Sequence, residues 1–62
     1  MCESKVYLLR GEETEHVMSD VVRMEVEVDG VRVFDIIGNE SFVEGARVKY
    51  ADLLAHEIVL ER

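Results

Sequence analysis

Three observations predict an all-β domain, a small barrel of five to six short antiparallel strands. Apolar and charged residues alternate over Val22-Arg23-Met24-Glu25-Val26-Glu27-Val28-Asp29, and a period of two suits a half-buried strand and no helix. Asp29-Gly30 stands between that run and a second one, 31–37. Asp-Gly suits a two-residue hairpin turn, because both turn positions need positive φ. Finally, strand-like runs recur along the chain with no proline and no convincing helical period. Many short strands at close spacing argue for a barrel or sandwich.

Each element follows from its residues. Met1-Cys2-Glu3-Ser4 precedes a first strand over 5–10, with Val6 and Leu8 on one face and Tyr7 and Leu9 on the other. A strand apolar on both faces is central in a sandwich or covered by a second subunit. Gly11-Glu12-Glu13 reads as a turn, 14–18 as a short second strand, and Ser19-Asp20 as the turn into the hairpin. The Asp29-Gly30 turn sets Val28 against Val31, Glu27 against Arg32 and Val26 against Val33. One hairpin face is then apolar, and the other carries a Glu27/Arg32 pair worth well under ~1 kcal/mol. Continuing the count opposes Glu25 to Phe34 and Met24 to Asp35, which mixes the faces and calls for a bulge or strong twist near Phe34. Gly38-Asn39-Glu40 ends the hairpin. Residues 41–50 read as one further strand, with Phe42, Val48 and Tyr50 sharing a face unless Gly45 is a bulge. Residues 51–56 are a helical turn or wide loop, with Asp52 as its cap. The last strand, 57–61, is apolar on both faces like the first. Five to six strands in 62 residues favour the SH3-like version of the barrel.

Length and charge bound the function. Sixty-two residues make one domain, 1–62, near the size at which disulfides, a metal or oligomerisation usually assist folding. A single cysteine excludes an intramolecular disulfide, and 48% hydrophobic content predicts that some apolar surface is buried in a partner subunit. The formal net charge is −7. Lys5, Arg10, Arg23, Arg32, Arg47, Lys49 and Arg62 are scattered rather than clustered, so the summed field repels phosphate and no nucleic-acid partner is expected. The same field favours cations, weakly and without selectivity. No signal-peptide pattern and no run near ~18 apolar residues occurs. The expectation is a cytoplasmic protein with no membrane partner, in which Cys2 stays a thiol.

Cys2 is the first residue that could carry chemistry. Removal of Met1 would expose a cysteine whose thiolate and amine form one five-membered chelate, with the next peptide nitrogen as a third donor. Sulfur with planar nitrogen donors suits Ni(II) or Cu(II), whereas several thiolates in a tetrahedron suit Zn(II). Against this stands the bland reading that a lone cysteine simply packs. His16 and His56 have no second ligand at a useful spacing and read as surface or capping histidines. Glu12, Glu13 and Glu15 read as a solvated face. Ser41, His56 and Asp52 make a triad on paper, but no nucleophile elbow or oxyanion loop accompanies them. The glycines show no phosphate-binding spacing. An enzyme is not expected.

The opening Met1-Cys2-Glu3-Ser4-Lys5-Val6-Tyr7-Leu8, the Asp20-Val21-Val22 step, Asp35-Ile36-Ile37-Gly38 and the closing residues 52–60 resemble the CooT family. These are small nickel-binding proteins linked to carbon-monoxide dehydrogenase maturation, with relatives once labelled predicted RNA-binding proteins. The resemblance implies an SH3-like fold, a homodimer and Ni(II) held by Cys2, with its own amine and the Glu3 amide as nitrogen donors. It implies no histidine ligand. A nickel enzyme would be the client of such a metallochaperone or storage protein. If the first strand lies near a two-fold axis, two Cys2 residues approach each other and one metal is shared between subunits. Two other readings compete: a small RNA-binding barrel, which the charge opposes, and a structural or regulatory dimer without metal.

Overall fold

The alternating run does form strand, but as part of a longer one than the sequence suggests. A computed structural model describes residues 3–62. Its six strands are β1 (Ser4–Arg10), β2 (Glu13–Glu27), β3 (Gly30–Asp35), β4 (Glu40–Glu44), β5 (Arg47–Asp52) and β6 (Glu57–Glu61). They form one sheet in the order β4-β3-β2-β1-β6-β5. The all-β class is as expected. One pairing corrects the antiparallel expectation: β1 and β6 run parallel, with Lys5 opposite Glu57 and Leu9 opposite Glu61.

The expected turn at Ser19-Asp20 is a corner inside β2 instead. Asp20 adopts φ 57°, the left-handed region that Asp tolerates better than most residues. Residues 13–21 pair with β1, while 21–27 pair with β3. One bent strand thus serves both halves of the sheet, and Val21 at the corner is buried. Sequence periodicity cannot distinguish a bend from a break, because both interrupt the alternation.

The hairpin register also differs from expectation. Val28 and Asp29 form the turn, with Glu27 opposite Gly30, Val26 opposite Val31, Glu25 opposite Arg32 and Met24 opposite Val33. Every pairing moves by two positions, so the faces are preserved. Gly30 is needed for space rather than for positive φ: a Cβ there would meet the Val43 carbonyl oxygen and the Phe42 ring. The Glu27/Arg32 pair persists as a diagonal contact at 2.8 Å. Arg32 also reaches Glu40 at 3.0 Å and lies 4.7 Å from the Phe42 ring centroid. The expected bulge occurs where Val21 pairs with Asp35 and Arg23 with Phe34. The extra residue is Val22 on β2, across from the Phe34–Asp35 step.

The expected strand over 41–50 splits at Gly45, whose φ of +74° suits glycine and ends β4. Its N–H donates to the Asp29 carbonyl at 2.8 Å. Ala46 then carries the chain from one edge strand to the other. The sheet is not closed by hydrogen bonds, since β4 and β5 are its two ends, but this two-residue link keeps those ends close. The core lies inside the curl: Leu60, Val6, Val31 and Val33 are fully buried, with Leu8, Val21, Val43 and Ala46 around them. Among the described residues no helix occurs, and none is long and apolar enough to cross a membrane.

Candidate functional site

The start of β1 is fixed by backbone bonds on both sides. Ser4 pairs with Val21, which in turn pairs with Asp35. On the other flank the Lys5 N–H donates to the His56 carbonyl at 2.9 Å. The 53–56 turn beside it is itself well held. Asp52 caps it as the sequence suggests, its Oδ1 accepting from the Leu54 N–H at 3.1 Å and the Ala55 N–H at 2.9 Å. That turn presents Leu53 and Leu54 to solvent, and His56 closes it with φ 57°. A shallow hollow of about 160 Å³, lined by Ser4, Val21, Val22, Arg23, Met24 and Ile58, adjoins the same end. Arg23 is turned toward Glu25, with Nη2 to Oε2 at 2.7 Å.

The predicted ligand residues meet this end differently. Glu3 is half-buried immediately before β1. Cys2 lies outside the described residues. Among the described residues, no group of three or more His, Cys, Asp or Glu side chains is arranged to hold a metal. His16 sits in β2 opposite Tyr7, its ring edge-on to the tyrosine at 5.7 Å and 74°. Its Nε2 lies 2.7 Å from Ser19 Oγ. His56 is exposed and contributes its backbone carbonyl to β1. The paper triad does not assemble: the Asp52 carboxylate is engaged by the turn amides, and among the described residues no hydrogen bond joins it to His56 or Ser41.

The second face of β1 carries Tyr7 and Leu9 as the sequence indicates, whereas that of β6 has only Val59 between Glu57 and Glu61, and a row the sequence did not reveal runs across both. His16 pairs with Tyr7, Tyr7 with Val59, and Val59 with Tyr50. Tyr50 joins this row only because Lys49 is bulged out between Val48 and Tyr50. Val48 faces Leu60 on the inner side, so it does not share a face with Tyr50. No local signal marks that bulge.

These features define a small, single-sheet β domain built around a pinned N-terminal strand. A family model described as CO dehydrogenase accessory protein CooT matches residues 1–61, and the chain belongs to that family. The fold agrees with a crystal structure assigned to CooT of Carboxydothermus hydrogenoformans. That chain matches with a TM-score of 0.87 and 26% identity, over 98% of this chain and 97% of its own length. An uncharacterized protein of Archaeoglobus fulgidus is 48% identical over 44 residues, which is 71% of this chain and 96% of that protein.

Proposed function

We propose that this accessory protein binds Ni(II) as cargo through the Cys2 thiolate and works as a homodimeric metallochaperone or store for a nickel enzyme, without catalysis of its own. The observation that carries the reading is the extent of the family match, which begins at residue 1 and so includes the Met-Cys start. With Met1 removed, the thiolate, the Cys2 amine and the Glu3 amide supply one sulfur and two nitrogens in adjacent chelate rings. That set fits a planar Ni(II) ion. The fold supports it indirectly, because Ser4 and Lys5 are fixed by β2 and by the 53–56 turn. Donors just ahead of them start from a rigid anchor, which lowers the ordering cost of chelation.

Capture and release then depend on protons. The free thiol and amine titrate near ~8.5 and ~8, and both must be deprotonated to bind. Below those values affinity falls by up to ~1,000-fold per pH unit, the slope of a three-proton release in which the Glu3 amide nitrogen also gives up its proton.

Nickel titration of untagged protein, with native mass spectrometry to read Met1 processing and bound metal, tests the proposal. Cys2→Ser is expected to lose tight binding and keep its fold. His16→Ala and His56→Ala should each stay within tenfold of the parent, or ~1.4 kcal/mol. Unchanged affinity in Cys2→Ser refutes the site. Unchanged affinity in a protein extended ahead of Cys2 removes the amine from the chelate and leaves the thiolate.

A further inference from the structure

We propose that the end of the sheet where β1 begins docks the nickel-receiving enzyme, through two aliphatic turns that flank the start of the strand. The inference rests on the metal-delivery reading above and gives the client its contact surface. The two turns share one construction. Asp35-Ile36-Ile37-Gly38 and Asp52-Leu53-Leu54-Ala55 each place an aspartate ahead of two large aliphatic residues. Asp35 Oδ1 accepts from the Ile37 N–H at 3.1 Å and the Asn39 N–H at 2.9 Å, as Asp52 Oδ1 does from the Leu54 and Ala55 amides. The first turn is also tied to the β2 corner, where the Ile36 N–H donates to the Asp20 carbonyl at 3.0 Å. The second is tied to β1 through the Lys5 N–H. Both turns hold their aliphatic side chains out of the core: Leu54 is 93% exposed, and Leu53 and Ile37 are 81% exposed. Apolar groups already fixed in place lose little further freedom when a partner covers them.

Place and charge identify the occupant. Pairing runs from Asp35 through Val21 to Ser4, and β6 and β5 follow on the other flank of β1. Each turn therefore lies within two strand spacings, about 10 Å, of the start of β1. A protein that takes a metal from donors just ahead of Ser4 must bring its own ligands to that point, and it then covers both turns. The exposed aliphatic residues Val22, Ile36, Ile37, Leu53 and Leu54 gather at this end, whereas Val26 and Val28 stand near the far tip of the β2–β3 hairpin. Exposed apolar groups gathered within a polar rim mark interaction sites. Beyond the Arg23–Phe34–Glu40 row, the charged residues described at this end are Glu3, Asp20, Asp35, Asp52 and Glu57 against Lys5. Aliphatic knobs in an acidic surround fit an apolar recess with a basic rim on the receiving protein. The same charge repels an anionic membrane surface.

Nickel-free carbon-monoxide dehydrogenase immobilised on a biosensor is the probe, with the full-length parent and its variants in solution and circular dichroism to confirm their fold. Leu53→Ser/Leu54→Ser and Ile37→Ser are each expected to weaken binding by about tenfold or more, the loss of a buried aliphatic contact. Val28→Ser, at the far hairpin tip, should stay within about threefold, as a residue outside the contact does. Association of the parent should slow as salt rises, since acidic-to-basic steering is screened. A parent that does not bind, or a leucine pair that binds as tightly as the parent, overturns the surface. So does a leucine pair that loses the dimer in sedimentation, which assigns the turns to a second copy. Retention of the parent on phosphatidylglycerol vesicles, lost in the leucine pair, also overturns it. Nickel titration of the same variants separates the two proposals. If Cys2→Ser keeps both nickel and docking, the Cys2 site fails and the surface stands. If the leucine pair keeps both, the surface fails and the Cys2 site stands.

Discussion

Gly30→Ala tests the packing between β3 and β4 most directly. Gly30 is buried and pairs with Glu27 on one side and Glu44 on the other. An added Cβ would lie 2.7 Å from Phe42 Cζ and 3.1 Å from Glu44 Cα, and nearer still to the Val43 carbonyl oxygen. Two of those three atoms are backbone, and the ring is held under Arg32, so β4 itself must move. Overpacking of this kind costs ~1–3 kcal/mol. The alanine also restricts the unfolded chain, which returns ~0.4–1 kcal/mol. A net loss of roughly 1–2 kcal/mol remains, out of the ~3–9 kcal/mol expected of a domain this small. The melting temperature should fall by roughly 4–16 °C. Urea unfolding followed by far-ultraviolet circular dichroism, at one fixed protein concentration, measures this with an unchanged m-value. An equal or higher midpoint would refute the close approach of β4 to Gly30.

Other substitutions probe the remaining features. Leu60→Ala empties the largest fully buried position and should cost ~2.7–5 kcal/mol, enough to leave a marginal fold by the same urea assay. Asp20→Val puts a β-branched residue at φ 57° and should lose ~1–2 kcal/mol, an effect absent in Asp20→Asn. The Asn39 side-chain amide, with the Asn39 and Ile37 N–H groups, holds the Asp35 carboxyl below its usual value. A depressed folded pKa stabilises above the unfolded value and is lost as pH falls through the folded one. Asp35→Ala should therefore flatten the acid limb of the stability profile below about pH 4, and an unchanged limb would contradict the assignment. Single-stranded RNA should not be retained at ~150 mM salt; retention that falls steeply with added salt would favour the RNA-binding reading.

Most of the fold was legible because alternation reports faces. Val6, Leu8, Val31 and Val33 are buried, as the period of two indicates, and Tyr7 and Leu9 lie on the second face. What alternation cannot report is register, bending or pairing direction. The Asp29-Gly30 turn chemistry was persuasive, yet Gly30 is claimed by the close approach of Phe42 and Val43, a contact twelve or more residues away along the chain. The corner at Asp20 and the bulge at Lys49 arise from curling the sheet around a small core, and no neighbouring residue announces either. The parallel β1–β6 pair depends on which strands meet across the whole chain, which local pattern does not encode.

The chemistry is less legible. Cys2 stands out in the sequence by elimination and by the resemblance, yet it lies outside the described residues, whereas the Tyr7-Val59-Tyr50 row emerges only from the register. An acidic chain raises the local concentration of every cation, but over a Debye length of ~8 Å at physiological salt that attraction cannot distinguish Ni(II) from Mg(II) or Ca(II). Selectivity needs donors of the right softness and geometry.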